Sequence, residues 1–270
     1  MKIRRLIHPP FQRLLSYLRG ASWQKPTGRR KLLISKRPDV VIAIGDIHGC
    51  HDLLVSLEQQ IVEQTKADGN QKLIIMLGDY VDRGPDSQRV IAHLLAPPPN
   101  GFERICLAGN HEQAMLDFLT SPAKRATWLD WGGIETLTSY GIDSRQLTPK
   151  FLRSKMMRHT LDSHIPEEHT DFLKNLPSLV SLPGYIFAHA GIRPGVPIEK
   201  QSDNDLLWIR DDFMSADTLG IEDCVVHGHT PCSDTVVSPT RICIDTAAYA
   251  TGKLTALKIC STNGISFITT

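Results

Sequence analysis

Five short segments of this chain carry side chains suited to holding divalent cations. They are Gly45-Asp46-Ile47-His48-Gly49, Gly78-Asp79-Tyr80-Val81-Asp82-Arg83-Gly84, Gly109-Asn110-His111-Glu112, His189-Ala190-Gly191 and His227-Gly228-His229-Thr230. Their donors are carboxylates, imidazoles and an amide oxygen, with no thiolate. Such a set favours a borderline-hard ion: Mn²⁺, Fe²⁺, Zn²⁺ or Ni²⁺. Two ions about 3.5–4 Å apart need a bridging carboxylate and separate terminal ligands. This inventory is large enough for both. The neighbouring glycines let backbone pass close to a charged site.

Each segment alone says little. Gly-Asp is a common turn pair, Asp46 could cap a helix, and Arg83 could sit in a weak surface ion pair. Their placement says more. Residues 40–44 read as a strand buried on both faces, 52–64 as a helix, 73–77 as a second strand, 87–95 as a second helix, and 105–108 as a third strand. This alternation implies right-handed crossovers and a parallel sheet. Residues 112–180 read mostly as helices and loops, a helical insertion over about 113–180. Strand-like runs return at 185–188, 224–226, 242–244 and 254–259. The last two read as a hairpin through Thr251-Gly252-Lys253. The sum is an α/β body with a helical insertion, then more sheet. All five segments follow predicted strands, where ligands of open α/β sheets bind. A purely structural explanation needs five coincidences at once.

In this order the motifs GDIHG, GDYVDRG, GNHE, HAG and GHT resemble the phosphoprotein phosphatase family of calcineurin-like metallophosphoesterases, the Ser/Thr protein phosphatase type, especially its compact bacterial and phage members. The resemblance covers about residues 39–260. It implies an α/β (α+β) fold with a central β-sandwich of mixed sheets flanked by helices, and two divalent metal ions at the strand ends, manganese being the first choice. Residue by residue, it implies that Asp46 and His48 bind one metal and Asp79 bridges both. Asn110, His189 and His229 complete the second site. His111 would be the general acid, Asp82 would orient it, and Arg83, Arg210 and Asn110 would meet the phosphate. His227 is read as a structural or supporting neighbour of the ligands. One departure stands out: Ala247 follows Ile244-Asp245-Thr246 where related chains often have glycine.

The residues agree with that chemistry. A water shared by two cations loses its proton near neutral pH and can attack phosphorus in line. Arginines offset charge on the equatorial oxygens. A histidine held by a carboxylate can protonate the leaving alkoxide. The expected function is therefore a dinuclear metal-dependent phosphoric ester hydrolase acting on phosphoserine or phosphothreonine, in a phosphorylated protein or a small phosphate ester. The alternative is a symmetrical bis(5'-nucleosyl)-tetraphosphate hydrolase. A catalytically silent scaffold is disfavoured, because every expected ligand and His111 are present.

Composition sets the limits. The chain has 270 residues, 41% hydrophobic and 22% charged, enough for a sizeable core. No apolar run approaches the ~20 residues of a membrane span. Residues 1–37 hold eleven Lys or Arg and no acid, which leaves nineteen basic against twenty-nine acidic side chains in the remainder. Residues 1–38 are therefore expected to be a basic N-terminal extension, and 39–270 the catalytic domain. Phe11, Leu14, Leu15 and Leu18 fall at helical spacing within that extension, which could make peripheral contact with anionic surfaces. A body this acidic is a poor nucleic-acid binder. Six cysteines without a CxxC pair, and no secretory signal pattern, point to a reducing cytoplasm.

Overall fold

A computed structural model describes residues 28–260 and 264–270. The helix expected near residues 11–18 lies outside them. Two sheets form the frame. The first is five-stranded, in the order β11-β10-β2-β3-β4. Its strands are β2 (Val40–Ile44), β3 (Lys72–Met76), β4 (Phe102–Cys106), β10 (Thr255–Cys260) and β11 (Gly264–Thr269). β2, β3 and β4 are parallel, with Ile42 opposite Ile74 and Ile74 opposite Arg104. The crossovers are α1 (His51–Gln64) and α2 (Ser87–Leu95), as the alternation of apolar strands and amphipathic helices required.

The second sheet is six-stranded, in the order β1-β5-β6-β7-β9-β8. It contains β1 (Lys31–Leu33), β5 (Leu179–Leu182), β6 (Tyr185–Ala188), β7 (Cys224–His227), β8 (Val236–Val237) and β9 (Arg241–Cys243). Period-two alternation explains how the layers pack. Val41, Ala43, Leu73 and Ile75 meet Val180, Phe187, Val226 and Ile242 between the sheets. Val40, Ile42, Ile44, Ile74 and Met76 face the other way, into the core shared with the helices. This is the mixed sandwich expected. Helices α3 (Asn110–Thr120), α4 (Gly133–Ser139), α5 (Pro149–Leu152), α6 (Lys155–His164) and α7 (Glu167–Asn175) make up the middle region.

Two expectations need correction. The hairpin read over 242–259 does not form. β9 belongs to the six-stranded sheet, while β10 pairs with β2 and β11 in the other. Both segments are apolar, and pattern alone could not say that the chain changes sheets between them. The extension read over residues 1–38 is not an appendage in its last part. β1 pairs in parallel with β5, and Leu32 and Ile34 are buried in the sandwich. Arg29 anchors it further: its Nη1 donates to Leu173 O (2.9 Å) and Leu176 O (3.2 Å) at the end of α7. The basic composition of residues 29–37 hid an alternating edge strand.

Candidate active site

The strand ends deliver their side chains to one place, and the local backbone is turned sharply there. His48, Asp79, Asp82, Arg83 and His229 all have positive φ, between 44° and 74°. Non-glycine residues adopt this region at a cost and cluster in it at functional sites.

Asp79 lies at the middle. Its Oδ2 is 3.5 Å from His48 Nε2, and its Oδ1 is 3.4 Å from His189 Nε2. One carboxylate thus presents one oxygen to each of two groups of donors, the geometry a bridging ligand needs. One group is His48, Asp79 and His111; the other is Asp79, His189 and His229. Burial opposes ionisation of Asp79, but the surrounding imidazoles outweigh it and hold its carboxyl below the usual range.

The hydrogen bonds show why cations fit. His189 Nδ1 faces Leu77 O at 3.0 Å and must donate to it, so His189 Nε2 carries a lone pair. That lone pair lies 2.8 Å from Asn110 Oδ1 and 3.2 Å from His229 Nδ1. Asn110 Oδ1 and His229 Nδ1 are themselves 2.8 Å apart. A lone pair facing a carbonyl oxygen at this distance is repulsive unless positive charge lies among them. His48 Nδ1 likewise donates to Val81 O at 2.8 Å, which leaves its Nε2 a buried acceptor without a partner. Burial pushes the His48 imidazole down to about 3 and that of His229 to about 2, so both rings are neutral and free to ligate.

Asp46 stands beside these groups rather than inside them. Its Oδ2 accepts the His229 backbone N–H at 3.0 Å, and its Oδ1 is buried without a partner. Burial first, then the charges of Asp245 and Asp79, push its carboxyl well up. An unpartnered carboxylate oxygen in such a place is costly unless a cation satisfies it. The expected ligands are thus brought together, with Asp46 tied to His229 through backbone.

His111 Nδ1 is 2.6 Å from Asp82 Oδ2. Asp82 is fully buried and also accepts from Trp128 Nε1 at 2.7 Å and Thr136 Oγ1 at 2.7 Å. Burial pushes the Asp82 carboxyl up, and the three donors oppose it by favouring the ionised form. Burial opposes protonation of His111, yet the charge of Asp79 and the bond to Asp82 outweigh it and raise its pKa. Arg83 lies across the face of Tyr249, 4.7 Å from the ring centre, with Nη2 3.3 Å from His111 Nε2. Arg210 stands further out: it is exposed, lines an open pocket with Trp208 and Asp211, and its charge lowers the His229 pKa.

His227 joins neither group. Its ring packs edge-on against Phe213, with centroids 5.0 Å apart. Residues two apart on a strand share a side, but His229 sits in a left-handed turn that ends this alternation.

Sequence reasoning missed several contributors. Asp245 is buried, and its charge helps to push the Asp46 carboxyl up. It follows the apolar end of β9, so the strand-end signal was present. Glu112 accepts four backbone N–H groups: Gly109 and Asp79 at 2.8 Å, Tyr80 at 2.7 Å and Val81 at 3.3 Å. It thereby shapes the loop that presents Asp79. Trp128 and Thr136, from the middle region, gave no signal, because a buried Trp and a helical Thr are ordinary core residues.

Two groups of donors, each able to hold a cation, thus lie together at the ends of sandwich strands. The chain matches the calcineurin-like phosphoesterase family over residues 40–269 and belongs to it. It is 30% identical to serine/threonine-protein phosphatase 2 of Salmonella typhimurium, covering 80% of this chain and 91% of that protein. It is 25% identical to an asymmetrical bis(5'-nucleosyl)-tetraphosphatase of Oceanobacillus iheyensis, covering 80% of this chain and 86% of the other. In fold it is similar to a cold-active protein tyrosine phosphatase, with TM-score 0.57 and 15% identity over 89% of this chain and 81% of that one. It is a phosphoesterase, a hydrolase. Among the described residues no helix is long and apolar enough to cross a membrane.

Proposed function

We propose that this chain is a metal-dependent phosphoric monoester hydrolase acting on phosphoserine and phosphothreonine. The observation that carries this reading is the Asp82–His111 pair, 2.6 Å apart beside Asp79. A serine or threonine alkoxide is a poor leaving group and needs a proton as it departs. A nucleotide leaves as phosphate and needs one far less. The family relationship to bacterial serine/threonine phosphatases supports the same reading.

Divalent ions held by Asp46, His48, Asp79, Asn110, His189 and His229, manganese by preference, would supply Lewis acidity and an acidified water as nucleophile. Arg83, steadied on Tyr249, binds phosphoryl oxygens, with Arg210 approaching from the rim. His111 delivers a proton from Nε2 to the departing oxygen. Asp82 holds Nδ1–H, and so fixes the ring's tautomer and aim.

One observation favours a second reading, dinucleoside polyphosphate hydrolysis. Trp131 and Trp208 are 43% and 36% exposed. Their ring centroids are 5.8 Å apart, and Trp131 lies 6.4 Å from His111. Exposed indoles beside a phosphate site can stack a nucleobase. Side-by-side turnover of a phosphoserine peptide and diadenosine tetraphosphate by the manganese-loaded protein separates the two. The proposal expects higher kcat/KM on the peptide. A preference for the dinucleotide that disappears in Trp131→Ala overturns it.

A further inference from the structure

The loop that carries His229 runs into a cysteine, and β9 beside it ends on another. Cys232 and Cys243 each direct Sγ at one acceptor, Thr230 O, at 3.4 Å. The two sulfurs are therefore separated by no more than twice that distance. Backbone holds the segments together: Cys232 N–H donates to Asp245 O at 3.0 Å, and Asp245 lies only two residues beyond Cys243. Cys243 is buried and Cys232 half-buried, so one thiol is shielded and the other can be reached. Thr230, which both contact, directly follows the ligand His229.

We propose that Cys232 and Cys243 form a peroxide-oxidisable dithiol that closes into a disulfide beside the His229 loop. The reachable Cys232, as thiolate, attacks hydrogen peroxide. An S–O bond forms, the O–O bond breaks, and hydroxide leaves, which gives a sulfenic acid. The Cys243 sulfur then attacks the Cys232 sulfur. The S–S bond forms, the S–O bond breaks, and the departing hydroxide takes the Cys243 proton as water. Two thiols and one peroxide yield one disulfide and two waters. Burial pushes the Cys243 thiol well up, and those of Cys50 and Cys106 to about 11, so these are poor first attackers. That suits Cys243 to the second step. Closing the bond draws both sulfurs off Thr230 O, since a disulfide needs Sγ atoms about 2 Å apart.

The test reads masses, so it is independent of the catalytic reading. Full-length manganese-loaded protein is treated with hydrogen peroxide and quenched with catalase. Free thiols are alkylated, and the chain is cut with trypsin without reduction. Cys232 falls in residues 211–241, with Cys224, and Cys243 in residues 242–253. The expected main product is these two peptides joined, with fragmentation placing the link on Cys232. Dithiothreitol should separate them, and Cys232→Ser should leave Cys243 free to alkylate. The proposal fails if both peptides remain separately alkylated after peroxide. It also fails if Cys232 ends as sulfinic acid with Cys243 free, or if the link uses Cys224.

Discussion

Asp82→Asn should remove the proton donor while leaving the cation ligands in place, and the structure says how. The Asp82 carboxylate accepts from His111 Nδ1 and Trp128 Nε1 on Oδ2 and from Thr136 Oγ1 on Oδ1. An asparagine can put its oxygen toward His111 and Trp128, and its NH₂ toward Thr136. The Thr136 hydroxyl proton can then turn to Ser87 Oγ, 3.0 Å away. The second amide hydrogen and the displaced Ser87 hydroxyl proton must find new acceptors, at about 1–3 kcal/mol each where they do not, so a thermal melt of the variant accompanies its kinetics. What changes is the charge. A hydrogen bond to an ionised partner is worth roughly 1.5–3 kcal/mol against about 0.5–1.5 for a neutral one. The lost Coulomb attraction adds up to about 4 kcal/mol at 4 Å and an effective dielectric of 20. At about 1.36 kcal/mol per unit, the His111 pKa should fall by about one to four units. His111 must be protonated to act, so the alkaline limb of kcat/KM moves toward acid. Above the new pKa, each unit removes tenfold of the acid form. On a phosphoserine peptide the loss should approach the ~10²–10⁴-fold a general acid contributes, but p-nitrophenyl phosphate should lose only severalfold. The assay is kcat/KM against pH with both substrates, and metal content by elemental analysis. Equal losses on both substrates with metal retained, or an unmoved alkaline limb, would refute the reasoning.

Other outcomes follow from the same geometry. Chelation should abolish turnover, and Mn²⁺ should restore it better than Mg²⁺, because the site offers imidazoles and Mg²⁺ prefers oxygen shells; full activity in verified metal-free protein would sink the dinuclear reading. Asp79→Asn should lose more metal than Asp82→Asn on elemental analysis, because Asp79 faces both donor groups and Asp82 faces His111. Deleting residues 1–27 should leave kcat on a small aryl phosphate unchanged. Deleting 1–37 should cost several kcal/mol in denaturant melts, since Leu32 and Ile34 are buried at about 1.5–3 kcal/mol each. Ala247→Gly should raise Tm by about 2–4 °C, because Ala247 sits at φ 52°, a left-handed conformation that costs a side chain roughly 1 kcal/mol or more. An unchanged or lower melting point would count against strain there.

The parallel core β2-β3-β4 was legible, because fully buried strands read as continuous apolar runs and their crossover helices carry helical spacing. The proposed ligands stood out for a related reason: Asp46, Asp79 and Asn110 are polar residues that abruptly follow apolar runs. What stayed hidden depends on long-range choices. β9 and β10 have similar composition yet enter different sheets. β1 looked like tail because Lys31 and its basic neighbours mask Leu32. Trp128 and Thr136 reach Asp82 from 46 and 54 residues away, and nothing local marks a core side chain as the donor to a buried carboxylate. Asp245 could have been read from its place after β9, but a single aspartate in an apolar stretch competes with ordinary turn formation.

The site's construction also explains why its motifs are so glycine-rich. Five ligand or phosphate-facing segments converge on a space only a few ångströms wide, so backbone must approach side chains directly. At Gly228 a Cβ would lie 1.9 Å from Asp46 Oδ1, and at Gly109 2.2 Å from Asp79 Oδ1. No side chain fits at either point without expelling a carboxylate. Asp79, after Gly78, and His229, after Gly228, sit in left-handed turns, which cost energy and must be held by something rigid. The hold is visible. Glu112 gathers four backbone N–H groups around the Asp79 turn, and the His229 turn is fixed by its own N–H on Asp46. Burial first, then the Asp79 charge, push the Glu112 carboxyl up to about 7, against the backbone N–H groups that favour its charged form. Strain at the ligands and polar satisfaction just behind them are thus two halves of one device. The sandwich supplies the stiffness, the braces fix the turns, and the unmatched buried acceptors of Asp46, His48 and His229 are ones a pair of cations would take.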